Sequence, residues 1–244
     1  MGRLTWRTAT VVEARWETAR VRSLVLDTGG WPGHRAGQHV DVRLTAEDGY
    51  TAQRSYSIAS PPGEPTVTLT VERLDDGEVS PYLVDEARPG DRFELRGPIG
   101  GHFVWCPDDA APLQLLAGGS GVVPLMAMLR ARAGVTSAPP ALLLYSSRTA
   151  DDIIYRDDLA ALARRDGGPR VVHTLTRAAP PGWEGRSGRF DAAALAELAL
   201  PPSTRPLTYV CGPTAFVESM AGLLTGLGHA AGRVRTERFG ATGG

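Results

Sequence analysis

At 244 residues, with 42% hydrophobic and 22% charged side chains, the chain has the composition of an ordinary globular protein, long enough for one large domain or two small ones. Its formal net charge of -1, from 26 Lys and Arg against 27 Asp and Glu, leaves no basic excess for a nucleic-acid partner. Two distant cysteines, Cys106 and Cys211, give neither a disulfide framework nor the clustered thiolates of an iron–sulfur centre, and the histidines show no metal-ligand spacing.

In chain order, the N-terminus carries no apolar signal core, and no apolar run reaches membrane-spanning length, so a cytoplasmic protein with no membrane partner is expected. Residues 1–108 then read as β-structure. Strands are expected at residues 9–14, Val21–Asp27, His39–Thr45, 53–58, 66–71 and 92–95, most clearly where Val67, Leu69 and Val71 alternate with threonines. Turn signals such as Gly29-Gly30, Pro61-Pro62-Gly63 and Asp76-Gly77 separate them, and one short helix is expected at residues 80–87. Six short strands so spaced predict an antiparallel barrel.

Residues 105–112 break the pattern as a linker, and from 109 to 244 strands alternate with helices. Strands are expected at 113–117, 141–145, 170–176, 207–211 and 233–239, and helices at Val122–Ala133, 151–165, 192–200 and 213–227, with Asp191 as an N-cap. This alternation predicts a five-stranded parallel, doubly wound sheet. The tail Ala241-Thr242-Gly243-Gly244 is expected to fray.

Open parallel sheets bind ligands at the carboxyl ends of their strands, and three such ends carry unusual residues. The first is Gly118-Gly119-Ser120-Gly121-Val122-Val123-Pro124, where glycines let the backbone approach a pyrophosphate at a helix N-terminus. Pro124 stands where the usual dinucleotide fingerprint has its last glycine, and a plain tight turn is the competing explanation. The second is Ser146-Ser147-Arg148-Thr149, either a ribose-phosphate site or a solvated loop. The third is Cys211-Gly212-Pro213, a sharp turn into a helix, in which Cys211 could equally be a small buried residue.

In the barrel half, alternation along Arg54-Ser55-Tyr56-Ser57 puts Arg54 and Tyr56 on one side of a strand and the two serines on the other. A cation, an aromatic face and hydroxyls suit a flavin, but they also suit an exposed strand. Gly77-Glu78-Val79-Ser80 offers N–H groups and a hydroxyl to a phosphate, or is a simple turn with a helix cap.

Taken in order over residues 54–239, these segments together with Glu237-Arg238-Phe239 resemble the ferredoxin–NADP reductase superfamily. The resemblance implies an FAD-binding β-barrel followed by an NAD(P)-binding α/β domain. It implies that Arg54 neutralises the FAD pyrophosphate, that Tyr56 stacks on the isoalloxazine and that Ser57 hydrogen-bonds near flavin N5. Gly77, Val79 and Ser80 would support the pyrophosphate, with His39, Ser55 and Val71 also in the flavin set. Gly118, Gly119, Ser120, Gly121, Val122 and Pro124 would cradle the nicotinamide dinucleotide, with Cys211, Gly212 and Pro213 beside the nicotinamide. Glu237 and Phe239 would sit near the flavin ring, and Tyr56, Ser57, Cys211 and Glu237 form the expected catalytic set. Ser147, Arg148 and Arg177 favour NADP over NAD, because a 2′-phosphate needs cations where an NAD site uses an acid.

The expected activity is therefore transfer of hydride from NADPH to FAD, then of single electrons to a separate ferredoxin, flavodoxin or oxygenase component. With no iron–sulfur or globin segment in its sequence, the chain is expected to be a stand-alone reductase. Two alternatives stay open: a flavin reductase that releases its flavin, and a non-catalytic electron-transfer subunit of a larger complex. The diphosphate-matching Arg54 argues against the first, and the intact glycine turns argue against the second.

Overall fold

The computed structural model describes residues 4–239, so the tail expected to fray lies outside the described residues. The chain divides into two compact units, one built on residues up to Trp105 with Met126–Ala131, the other on Cys106–Leu125 and the residues from Arg132 onward.

The first unit is an antiparallel sheet of β1 (Trp6–Thr18), β2 (Val21–Asp27), β3 (His39–Thr45), β4 (Thr51–Ser57), β5 (Val67–Glu72) and β6 (Arg92–Ile99). Its order is β4-β3-β6-β1-β2-β5, and a bridge between Ile58 and Leu69 ties the β4 end to the β5 end, closing a barrel. The alternating apolar residues point inward: Leu24, Leu26, Val40, Val42, Leu69 and Leu95 are fully buried in one core. Strand β1 is longer than its apolar alternation predicts, because it pairs with β6 through Trp6–Thr10 and with β2 through Thr10–Thr18, bulging twice on the way. The expected short helix is a wide turn, Tyr82–Glu86, that puts Leu83 and Val84 into the core.

A polar network crosses four strands of this sheet. Ser55 on β4 donates its hydroxyl to Asp41 on β3 at 2.7 Å, and Arg96 on β6 donates to the same carboxylate at 2.6 Å. Arg43 on β3 forks onto Glu94 on β6 with two 2.8 Å bonds, and the guanidiniums of Arg43 and Arg96 lie 4.2 and 4.8 Å from the Trp6 ring on β1.

The second unit is a parallel sheet of β7 (Leu113–Gly118), β8 (Ala141–Thr149), β9 (Arg170–Ala178), β10 (Arg186–Ser187), β11 (Leu207–Pro213) and β12 (Val234–Phe239), in the order β10-β9-β8-β7-β11-β12. The helices are α1 (Val122–Ala133), α2 (Arg156–Ala163), α3 (Ala192–Leu198) and α4 (Thr214–Gly226). On one sheet face Leu116, Leu142, Leu144 and Val210 pack with Leu195 and Leu198 of α3 and with Val217 and Leu224 of α4. The sixth strand, β10, has two residues paired at the edge of β9, too short to show any periodicity in sequence.

Two helix boundaries move for local reasons. Residues 151–165 were expected as one helix, but α2 begins only at Arg156. Asp152 and Thr149 form a reciprocal cap on a separate turn, Ala150–Asp152, and Tyr155 takes a left-handed conformation at φ 59°. The Tyr145 hydroxyl accepts the Ile154 N–H at 3.2 Å, occupying a group that a continuous helix would have bonded internally. Helix α3, capped by the Asp191 carboxylate as expected, ends at Leu198, because buried Gln114 captures the Leu200 N–H at 2.6 Å. Among the described residues, no helix is long and apolar enough to cross a membrane.

Asp41 is the network's shared acceptor and its side chain is only 8% exposed. Asp41→Ala should cost about 1–3 kcal/mol, because Arg96 and Ser55 lose their partner in a partly desolvated place. A denaturant melt of the barrel unit should show a lower midpoint with an unchanged slope. An unchanged midpoint would mean that the network is only surface decoration.

Candidate functional site

Strand β4 displays its side chains as alternation dictates. Arg54 and Tyr56 stand opposite Val42 and Val40 of β3, while Ser55 and Ser57 stand opposite Asp41 and His39. Tyr56 is partly buried against the barrel core, and burial raises its phenol well above the ordinary value, so it is a neutral ring. Ser57 is buried and its hydroxyl has no partner. Cross-strand from it, His39 has its pKa lowered by burial, against the opposing effect of the Asp41 charge, so the imidazole is neutral near pH 7.

Arg54 is half-buried and already engaged. Its Nη1 donates to the Gln53 carbonyl at 2.7 Å and its Nη2 to Glu78 Oε2 at 2.9 Å. The turn that carries Glu78 is tightly built. A Cβ on Gly77 would lie 2.8 Å from Ser80 Oγ and 3.2 Å from the Leu74 carbonyl, so a larger residue would push the Ser80 hydroxyl aside. Ser80 Oγ accepts the Leu74 N–H at 3.1 Å. The side chains of Val79 and Val71 are buried in the barrel core, leaving only their backbones to meet a ligand. The hydroxyl of Ser55 is spent on Asp41, on the strand face away from Arg54 and Tyr56. The structure thus brings Arg54 to the Gly77–Ser80 turn and His39 to Ser57, while Ser55 and Val71 serve the barrel.

This set fits an FAD. It offers a ring for stacking, a buried hydroxyl lacking a partner, a guanidinium for a diphosphate and a tightly packed glycine turn.

In the second unit, two glycine turns pack backbone on backbone. A Cβ on Gly121 would lie 2.2 Å from the Cys211 carbonyl oxygen, and one on Gly212 would lie 2.9 Å from the Gly118 carbonyl oxygen. Gly118 itself is pressed against the Phe216 ring, where a Cβ would meet carbon at 2.9 Å. Gly119, at φ +55°, has open space around its missing Cβ, so it is the glycine free to let a ligand approach. Ser120 is half-exposed beside it, while Val122 and Pro124 are buried in the first turn of α1. Pro213 leads into α4 and pairs with Phe239.

Cys211 is fully buried, and its register partner on β12 is Glu237. Burial first, and then the Glu237 charge, push the thiol well above its ordinary pKa. Burial also raises the Glu237 carboxyl to about 7, and its Oε2 has no partner. Register extends this row through Ala117 and Tyr145 to His173 on β9, whose Nδ1 is likewise buried without a partner.

The strand ends of β8 and β9 meet as the sequence implies. Thr176 donates its hydroxyl to the Ser147 carbonyl at 3.2 Å, and the buried Ser147 hydroxyl is unpaired. Arg148 and Arg177 are both exposed, and neither pairs with an acid among the described residues. Sequence reasoning missed Glu78 as the partner of both Arg54 and Tyr50, Phe216 as the wall behind Gly118, and the row of Tyr145 and His173. The signals were faint: Glu78 sits inside an already recognised turn, and Phe216 follows Pro213 by three residues.

A model of the oxidoreductase FAD-binding domain matches residues 12–105, and one of the oxidoreductase NAD-binding domain matches residues 115–221. The chain is 37% identical over 212 residues to ferredoxin–NADP reductase B of Sorangium cellulosum, covering 84% of each protein. It is 31% identical over 244 residues to the glycine betaine monooxygenase reductase subunit of Chromohalobacter salexigens, covering 99% of this chain but 65% of that one, so it spans just under two thirds of that relative. Among solved structures, the flavohem-like FAD/NAD-binding domain of nitric oxide dioxygenase from Vibrio cholerae matches with a TM-score of 0.86 at 27% identity, over 96% of this chain and 98% of that one.

Two measurements check this site. In the native protein a thiol reagent should label exposed Cys106 rapidly and leave Cys211 untouched until denaturant is added, because Cys211 is buried and protonated. Rapid labelling of both would contradict that environment. Glu237 releases its proton near 4.5 when unfolded but only near 7 when folded, so its contribution to stability is complete below 4.5 and is lost as pH rises through 7. In flavin-free protein, Glu237→Gln should therefore raise the melting temperature relative to the parent by a few degrees more at pH 8 than at pH 5. An equal difference at both pH values would show that the carboxyl is not held protonated.

Proposed function

The chain belongs to the ferredoxin–NADP reductase superfamily, and from that premise we propose that it takes hydride from NADPH, with FAD as resident flavin, and passes electrons singly to a separate ferredoxin, flavodoxin or oxygenase component. That it is an NAD(P)H-dependent, flavin-containing oxidoreductase follows from its two family domains and its relatives. The observation that carries the finer reading is the pair of exposed arginines, Arg148 and Arg177, without an acidic partner among the described residues and at the ends of neighbouring strands. An acid at this point would hold the ribose hydroxyls of NADH, whereas two free guanidiniums suit the extra phosphate of NADPH. The separate acceptor is supported by relatives named for one, a ferredoxin reductase and a monooxygenase reductase subunit.

Bound FAD supplies the exchange between a two-electron hydride and single electrons. The chain's residues do the rest. Tyr56 offers a neutral face for stacking, and Ser57 offers a hydroxyl that burial has left unsatisfied. Gly119 and the start of α1 present backbone N–H groups to the dinucleotide phosphates. Cys211 stays a neutral thiol, so it packs and orients rather than attacks. Glu237 is poised to hold or release a proton at Oε2 near neutral pH.

The test is steady-state reduction of ferricyanide with each nucleotide. The parent protein should prefer NADPH, and Arg148→Ala should lose about tenfold or more in kcat/KM for NADPH, since a charge-assisted contact is worth about 1.5–3 kcal/mol. NADH kinetics should barely move. Equal efficiency with both nucleotides in the parent, or an equal loss with both in the variant, would remove the NADP assignment.

A further inference from the structure

We propose that Glu78 sets how tightly this chain holds FAD, by competing with the flavin's diphosphate for the Arg54 guanidinium. The inference rests on the FAD reading above and concerns a residue to which that reading gives no role.

Glu78 is the one acidic member of the turn assigned to the diphosphate. Its Oε2 takes Arg54 Nη2 at 2.9 Å, and its Oε1 accepts the Tyr50 hydroxyl at 2.5 Å. The Tyr50 hydrogen bond first, and then Arg54, hold its carboxyl below the ordinary range, so it is ionised at neutral pH. The carboxylate is placed by a rigid backbone. Gly77 on one side is crowded by Ser80 and Leu74, Val79 on the other is buried in the core, and Ser80 closes the turn onto Leu74.

Arg54 already holds an anion. Nη1 gives one N–H to the Gln53 carbonyl and Nη2 gives one to Glu78, so the remaining N–H groups of the guanidinium lie around a carboxylate already in place. A diphosphate reaching this guanidinium must displace the carboxylate or sit beside it, against like charge. Both routes weaken flavin binding, and both disappear when the carboxylate becomes an amide. The pair itself is half-exposed and weak, so what it opposes is the flavin and not the fold.

The experiment uses the full chain stripped of flavin and titrated with FAD and, separately, with riboflavin, which has no phosphate. Proteins compared are the parent, Glu78→Gln, Arg54→Ala and the double variant, with thermal melts confirming that each is folded. Glu78→Gln should bind FAD about three- to fivefold more tightly than the parent, with riboflavin binding unchanged. In the Arg54→Ala background the same substitution should gain less than about twofold, because the contested group is gone. FAD affinity that is unchanged or lower in Glu78→Gln overturns the proposal, since Glu78 would then be neutral or would position Arg54 for the diphosphate. A full gain in the Arg54→Ala background also overturns it, leaving repulsion alone. A parent protein that binds riboflavin but not FAD takes down the FAD reading itself, a result distinct from either.

Discussion

Two backbone turns that pass closer than any side chain allows organise the nucleotide-binding half of this protein. The carbonyl of Cys211 lies where a Cβ on Gly121 would be, and the carbonyl of Gly118 lies where one on Gly212 would press. Without that approach β7 and β11 could not carry their turns side by side, and α1 could not start where it does. Three of the glycines in these turns are thus consumed by packing. Gly119, with its left-handed backbone and open surroundings, is not needed for that packing.

A second theme is unfinished polar pairing. Buried polar atoms nearly always find partners, because leaving one unsatisfied is costly. Here Ser57 Oγ, Ser147 Oγ and Glu237 Oε2 are buried without one, and each falls in a segment expected from the sequence to meet a cofactor or nucleotide. The same condition occurs elsewhere, as at Thr28 and Trp105, so it is no marker by itself. It becomes informative where it coincides with a strand end, a glycine turn or a titratable neighbour. Arg54 is the opposite case: its charge is already paired with Glu78.

The two halves were legible in sequence to different depths. Alternation in β2, β3 and β5 and the alternation of strands with helices after residue 112 were enough for a barrel and a parallel sheet, because burial on one face imposes those periods on the chain itself. The Arg54–Ser57 segment, the glycine turns and the order of segments down to Glu237–Phe239 were enough for the family, since those features are local and their spacing is covalent. The chemistry of Arg54, Tyr56 and the serines divides as strand geometry requires, with Arg54 and Tyr56 on one side and Ser55 turned away.

Only the tertiary structure decided what depends on groups far apart in the chain. The length of β1 follows from partners on both flanks, and the late start of α2 follows from a hydroxyl on the neighbouring strand. The pairing of Glu78 with both Arg54 and Tyr50, the placing of Glu237 beside Cys211 and the pressing of Phe216 onto Gly118 join residues that no period or spacing connects. A sequence displays covalent neighbours and faces. Charge competition and desolvation are set by distance and dielectric, which exist only once the chain has folded.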